Sequence, residues 1–384
     1  HYRREFDPME FSIRRQYFLD QLNLVNRGIM PHSPVPVLGG ILFQVEPDKI
    51  VLTGSDKEFV VLTTIIPDER NELIIDAPGS MVMDAKFLLE LVRRMNGNEI
   101  KIVSDGEIMR LSSLDGNFDL IGRSGADYPP LALERPALHF QLPAALLTEI
   151  YDRTAYAVAE KDSRQVLMGI NLEISQGTLA ATATDSYRLA RKVCPVDIEE
   201  DCRITIPKQP FGDIVRSFGN HEMIDIYLDR RKIQFVFGNT LMQTQLYEGT
   251  FPEAGRIIPT QFLSTLRLSA SDLEGMLNRT TIYTSSGSSY GSIVPVQMVC
   301  SAESVSMRVL SSDIGSCKQI LNGSDYQGQD LSVSYNAKLM LDALKGLRSS
   351  DEVELGFTGE LRPIRISNPA DPTLTMIVVP IRSN

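Results

Sequence analysis

The sequence predicts an α+β fold of three repeated domains, each with two helices packed on antiparallel sheet. Three observations predict it. First, a short motif recurs one third of the chain apart: GSD at 54–56, ATD at 183–185 and SSD at 311–313. Its aspartates, Asp56, Asp185 and Asp313, lie 129 and 128 residues apart in a chain of 384. Second, FQLPAALLTEIYDRTAYAV (140–158) aligns without a gap on LRLSASDLEGMLNRTTIYT (266–284), placing Phe140 on Leu266, Leu147 on Leu273, Ile150 on Met276 and Arg153 on Arg279. Third, DAKFLLELV (84–92) matches NAKLMLDAL (336–344), and ITIPKQPFGDIV (204–215) fills the middle slot. Repeats of this kind outrank any local reading of the chain.

Each unit has the same order. A short strand enters an amphipathic helix, in the first copy through FSIRRQYFLDQLNLVNRG (11–28), whose Phe18, Leu22 and Val25 share a helix face. Strands follow with alternating burial: EIKIVS (99–104), MIDIYLD (223–229) and RKIQFVFG (231–238). SDGE (104–107), LDGN (114–117) and FGNT (237–240) read as turns between them. Turns this tight imply antiparallel pairing. A second helix lies inside each unit.

Two related Pro-rich linkers, DYPPLALERP (127–136) and TFPEAGRIIP (250–259), separate the units. They set domains of 9–136, 137–262 and 263–384. Residues 1–8, HYRREFDP, precede Met9, which reads as a natural start, and are set aside as extra N-terminal residues. Sheets that are apolar on one face need covering, and two helices per unit can cover one face. Three units in a row would end in unpaired strands. A second copy, joined head to tail, would close a ring and remove those edges.

Composition narrows the function. Apolar residues make up 43% and charged residues 23%, as in an ordinary soluble protein, and no apolar run nears the roughly 20 residues of a membrane helix. The four cysteines form no CxxC pair and the four histidines are scattered, so no metal site or cofactor is expected and the thiols read as reduced and cytosolic. No GxxxxGK[ST], GxSxG or HExxH motif occurs. SSGSSYGS (285–292) reads as a flexible loop, not a phosphate cradle.

A net charge of −11 disfavours nucleic acid on the outer surface. Yet basic residues recur at matched places. Arg27, Arg153 and Arg279 stand 126 apart near the ends of the first helices. Arg93, Arg216 and Lys345 form a second series, with Arg94 and Arg348 nearby. Cations near helix C-termini also complement the helix dipole. The repetition favours a shared surface lining a hole, which would hold duplex DNA by its phosphates without reading bases.

The stretch ATDSYRLA (183–190) places Asp185, Ser186, Tyr187 and Arg188 side by side and raises the alternative of a hydrolase. The repeat argues otherwise: Asp56 and Asp313 lack the Ser-Tyr-Arg partners, so the Asp reads as a strand end supporting a turn. A second alternative is a protein-only scaffold ring.

ATDSYRLA resembles the TD-x-x-RLA motif of the bacterial DNA polymerase III β subunit, the sliding-clamp family. PVPVLGGILFQV (34–45), TFPEAGRIIP and MIVVPIR (376–382) resemble three further segments of that family, and the likeness runs from Met9 to Asn384. The resemblance implies a non-catalytic, cytoplasmic processivity factor whose helices line a dimeric ring around DNA. It implies a groove for Gln-Leu-x-Leu-Phe-like peptides of the replicative polymerase α subunit, the clamp loader and repair proteins. Carried over by motif, that groove takes Leu167, Thr184, Ser186, Tyr187, Arg188 and Leu189 from the second unit. The linker adds Pro252, Arg256, Ile257 and Ile258. The third unit adds Leu361, Pro363, Ile377, Val378, Val379, Pro380, Ile381 and Arg382. His32 stands in the loop expected to face DNA, where the family sometimes has arginine. Val379 stands where methionine is often found, and Ser383 and Asn384 extend past Arg382. The ring would close where Phe118 and Leu120 of NFDLIG (117–122) meet Ile282 and Tyr283, expected just after the third unit's first helix.

Overall fold

The computed structural model describes residues 8–284, 293–311, 313–322, 324–348 and 351–382. The expectations for residues 1–7, for SSGSSYGS and for Ser383–Asn384 lie outside them. The first repeat contains β1 (Glu10–Arg14), α1 (Arg15–Asn26), β2 (Gly40–Val45), β3 (Ile50–Ser55), β4 (Phe59–Ile65), β5 (Ile74–Ala77), β6 (Gly79–Asp84), α2 (Ala85–Arg94), β7 (Glu99–Asp105), β8 (Ile108–Ser113), β9 (Gly116–Ile121) and β10 (Arg123–Ser124). The second contains β11 (Leu138–Pro143), α3 (Ala144–Thr154), β12 (Gly169–Ser175), β13 (Thr178–Thr184), β14 (Arg188–Pro195), β15 (Cys202–Pro207), α4 (Lys208–Val215), β16 (Met223–Leu228), β17 (Lys232–Phe237) and β18 (Thr240–Gln245). The third contains β19 (Ser264–Ser269), α5 (Ala270–Thr284), β20 (Val296–Cys300), β21 (Val305–Ser311), β22 (Gly315–Ile320), β23 (Asp325–Gly328), β24 (Leu331–Tyr335), α6 (Ala337–Leu344), β25 (Glu352–Phe357), β26 (Ile364–Asn368) and β27 (Asp371–Val378).

Local chemistry explains the helix starts. Asp84 caps α2 by accepting from the Phe87 amide at 3.0 Å, and Asn336 caps α6 by accepting from Lys338 at 2.9 Å. The apolar faces then bury: Phe18, Leu22 and Val25 of α1 are inaccessible, as are Leu147, Ile150, Leu273 and Leu277 on α3 and α5. Full burial of such a side chain contributes roughly 1.5–3 kcal/mol. Gly106, Gly116 and Gly238 take φ of +60°, +131° and +53° in the expected turns.

The chain divides into two compact units, one reaching Leu147 and including Gln209–Leu246, the other Thr148–Lys208 and Tyr247 onward. In the first unit a five-stranded sheet runs β5-β1-β7-β8-β9 and a nine-stranded sheet runs β10-β6-β2-β3-β4-β18-β17-β16-β11. In the second a nine-stranded sheet runs β15-β12-β13-β14-β27-β26-β25-β19-β23 and a four-stranded sheet runs β22-β21-β20-β24. Each nine-stranded sheet therefore crosses a repeat boundary, at β4·β18 (Thr63 opposite Thr240) and at β14·β27 (Leu189 opposite Ile377). Buried polar groups hold the first linker: the Gln234 amide donates to the carbonyls of Leu133 and Glu134, and Gln243 and Lys232 donate to that of Ala132.

Two expectations need correcting. The first helices begin at Arg15, Ala144 and Ala270, so the step is 129 and then 126 residues. Arg153 and Arg279 both fall tenth in their helices, whereas Arg27 lies beyond α1 as its C-cap. The matched spacing of Arg27 does not mark an equivalent helix position: the first repeat is longer than the second, with an extra strand, β5, between β4 and β6. Ile282 and Tyr283 do not follow α5 but form part of its last turn, because α5 continues to Thr284 over the buried Thr280.

Candidate functional site

The turn that joins β13 to β14 is built by Asp185. Its Oδ1 accepts from the amides of Tyr187 at 2.9 Å and Arg188 at 3.0 Å, while the Thr184 hydroxyl accepts from Ser186 and donates to the Arg188 carbonyl. Asp56 makes the same turn between β3 and β4, accepting from Glu58 at 3.0 Å and Phe59 at 2.7 Å. The residue after each aspartate is left-handed: φ is +78° at Ser186 and +82° at Lys57. Both aspartates use their acceptor oxygens on backbone, as Asx turns do. This is the geometry of a structural turn, and it leaves no base beside a nucleophile.

What differs at the second copy is Arg188. Its guanidinium donates to Asp185 at 3.1 Å and to Asp342 of α6 at 2.8 Å, and it lies 5.6 Å from the Tyr156 ring centroid. The equivalent residue after Asp56 is Phe59. Asp342 also accepts from Lys345 at 2.7 Å. Burial alone would raise the Asp342 pKa, but the hydrogen bonds from Lys345 and Arg188 outweigh it and hold the carboxyl below its ordinary value. Motif reading missed Asp342 and Tyr156. The one available signal was an acid on the apolar side of a short helix.

The groove candidates separate by exposure. Leu189 and Ile377 are buried together with Ala254, and Ile258 packs on them. Leu167 is buried in another cluster with Val166, Ala159 and Phe251. Val378 is buried, and Val379, Pro380 and Pro363 are half-buried. Accessible apolar surface comes from Tyr187 (68% exposed), Ile257 (55%) and Leu361 (58%), beside exposed Pro252. Arg256 is exposed and paired with Glu253 at 2.7 Å. The Val379 amide donates to the Tyr187 carbonyl at 2.9 Å, which fixes the chain end against the turn. Ile381 instead donates to the Ser334 carbonyl on β24, and with Arg382 it lines a separate cavity of about 830 Å³ on the four-stranded sheet.

Among the basic candidates, Arg93, Arg216 and Lys345 each stand eight residues after their helix start, at positions that match. Each is exposed and pairs with an acid three residues earlier: Glu90 at 2.9 Å, Asp213 at 2.9 Å and Asp342 at 2.7 Å. Arg94 shares Glu90. Arg279 donates to Gln319, Arg153 and Arg27 are half-exposed, and His32 and Arg348 are exposed, His32 at φ +60°.

At the sheet edges, among the described residues, β9 has β8 as its one hydrogen-bonded neighbour, and β22 has β21. Phe118 and Leu120 are half-buried on one face of β9, while Ile121 on the other is 78% exposed. Ile282 is exposed and Tyr283 half-buried.

Among the described residues no cluster of three His, Cys, Asp or Glu could hold a metal ion, and no helix is long and apolar enough to cross a membrane. Three tandem helix-on-sheet repeats with structural turns define a clamp fold. Profiles of the DNA polymerase III beta subunit match in order: the N-terminal domain at residues 9–132, the central domain at 141–253 and the C-terminal domain at 255–382. A beta sliding clamp of Staphylococcus epidermidis is 31% identical over 98% of this chain and 100% of its own. The crystal structure of the DNA polymerase III beta chain of Streptococcus pneumoniae TIGR4 superposes with a TM-score of 0.92 at 26% identity, covering 98% of this chain and all of that one. The DNA polymerase sliding clamp of Bacillus subtilis gives 0.91 at 26% identity with the same coverage. The chain belongs to the bacterial DNA polymerase III beta subunit family, the non-catalytic, DNA-binding processivity factors of replication.

Proposed function

We propose that two copies of this chain close head to tail into a ring around duplex DNA, and that the ring tethers its partners through the surface around Tyr187. The observation that carries the reading is a count of strands. Among the described residues two sheets have nine strands, and the remaining two have five and four. The nine-stranded sheets join the fourth strand of one four-stranded core to the last hairpin strand of another repeat, as β4·β18 and β14·β27. The same rule applied once more joins β22 to β9. Within one chain that pair is unmade, and a second copy supplies it at both ends, leaving a third type of nine-stranded sheet and no such edge.

Domain limits of 9–136, 137–262 and 263–384 fit this scheme, as does a cytoplasmic location. In it Arg93, Arg216 and Lys345, with Arg94, Arg153, Arg279 and Arg348, face the phosphates. Arg27 and His32 contribute from the loop after α1. The peptide anchors, Leu and Phe, cover Tyr187, Ile257 and Leu361 above the buried floor of Leu189 and Ile377. Two such anchors contribute roughly 1.5–3 kcal/mol each before the cost of ordering the peptide, short of the roughly 8 kcal/mol of a micromolar complex, so the polar and backbone contacts of the peptide must supply the rest. The polymerase α subunit, the clamp loader and repair proteins would present such peptides.

The test is light scattering combined with retention on DNA. The wild type is expected as a dimer that stays on nicked circular DNA and is lost when the circle is linearised. A monomer at micromolar concentration overturns ring closure. A dimer that never retains DNA supports the protein-only scaffold instead. Fluorescence polarisation with a Gln-Leu-x-Leu-Phe peptide tests the groove. Deleting residues 379–384 should abolish peptide binding and leave the dimer, and equal affinities would remove the groove from this surface.

A further inference from the structure

We infer that Asp342 is a positioning residue that links the peptide turn to the DNA-facing end of α6, so that DNA and peptide bind this chain with mutual reinforcement. The inference rests on the DNA and groove readings above. Four charged groups stand in a row: Asp185, Arg188, Asp342 and Lys345, joined at 3.1, 2.8 and 2.7 Å. The inner three are largely sequestered, with side-chain exposures of 17%, 13% and 11%, and Lys345 at the outer end is 67% exposed. One end of the row is the turn carrying Tyr187. The other is the cation at the end of α6.

Comparison among the repeats marks this row as particular. The acids at the same place in the second helices, Glu90 and Asp213, hold the cations that follow them on the helix, Arg93 and Arg94 for Glu90 and Arg216 for Asp213. Asp342 divides its two oxygens, Oδ1 to Lys345 and Oδ2 to Arg188, which comes from the preceding repeat, 154 residues away. Lys345 and Arg188 therefore share the charge of one carboxylate. A phosphate that draws Lys345 away leaves Asp342 to Arg188 alone. In a site of low polarity that strengthens the Arg188 contact; Arg188 also donates to Asp185 Oδ2, and Asp185 Oδ1 accepts from the amide of Tyr187, whose carbonyl receives the Val379 amide. The two states are Lys345 on Asp342 and Lys345 off it. By linkage, peptide bound at the turn must favour DNA by the same factor.

The measurement is peptide affinity by fluorescence polarisation on the dimer, with and without a nicked circular duplex, using the Gln-Leu-x-Leu-Phe peptide. For the wild type we expect the dissociation constant to fall about threefold with DNA, just below the usual range of such couplings. Lys345→Gln removes the second cation from an exposed position. It should bind peptide at the DNA-bound affinity already, with no further response to DNA. Asp342→Asn should weaken peptide binding and also lose the response. Circular dichroism and light scattering establish that both variants remain folded dimers. A wild type that binds both ligands, with one peptide affinity in the presence and absence of DNA, overturns the relay. So does a Lys345→Gln protein that keeps the full threefold response. Failure to bind DNA, or peptide, at all is a different result and refutes the underlying readings instead.

Discussion

Asp185 and Asp56 accept the same pair of backbone hydrogen bonds, and only Asp185 also accepts a guanidinium. Their removal should therefore differ. Asp56→Ala loses two neutral-donor bonds in a turn that water reaches, and about 1 kcal/mol of stability should follow. Asp185→Ala also strips one partner from a sequestered arginine, and about 2–3 kcal/mol is expected. Urea unfolding of the two variants checks this, and equal losses would mean that Arg188 gains nothing from Asp185. Asp342 adds a dependence on acidity. Its folded pKa lies below the ordinary value of 3.8, so its contribution is complete above that value and disappears as pH falls through the folded one. Urea midpoints of wild type and Asp342→Asn should differ at neutral pH and converge well below pH 4. The repeat made Asp185 legible as a turn residue, since its counterparts lack the partners a catalyst needs. Asp342 was not legible, because an ion pair between residues 154 apart leaves no periodicity or motif behind.

At the scale of helices and strands, the matched cations of α2, α4 and α6 sit where the macrodipole already favours them. Their acids three residues earlier offset part of the charge in the free protein. Reversing Arg93, Arg216 and Lys345 to Glu together should weaken retention on DNA and flatten its salt dependence, with the slope falling by about 0.9 for each phosphate no longer engaged. Loss of the Arg93 pair, exposed on both sides, should change stability by less than about 0.5 kcal/mol, whereas a reversed charge at Lys345 meets the sequestered Asp342 and should cost more. A salt series on nicked circles reads this, and an unaltered slope would separate these helix ends from DNA. Helix existence and turns were legible because glycines and apolar spacing act locally. The end of α5 was not. Thr-Thr-Ile-Tyr-Thr has strand-like propensity, and burial of Thr280 with its hydroxyl bonded to the Met276 carbonyl overrides it. The offset of Arg27 was hidden for another reason: a fixed step of 126 residues cannot see that the first repeat is longer than the second, its chain taking an extra strand, β5, between β4 and β6.

For the whole molecule, the strand rule places the closing contact on β9. Leu120→Lys puts a charge on its half-buried face and should give monomers at low micromolar concentration, by sedimentation or light scattering, without unfolding the chain. A variant that remains dimeric would move the closing contact elsewhere. The three repeats were readable from one period in the sequence. How they join was not, because strand pairing across a boundary depends on edges that no single repeat reveals.

The ladders β4·β18 and β14·β27, five residue pairs each, also bear on how such a chain can be taken apart. The middle third of the sequence owns no complete sheet: its strands finish two sheets begun by its neighbours, and its residues are shared between two compact units. Cutting at the linkers would sever hydrogen-bonded ladders and expose two bare edges at once. A polypeptide of residues 137–262 alone should therefore be unable to hold its fold, although the sequence presents it as one of three equal modules. The parts that come and go as units in this protein are then the sheets that span the joins, whose borders are not those of the sequence repeat.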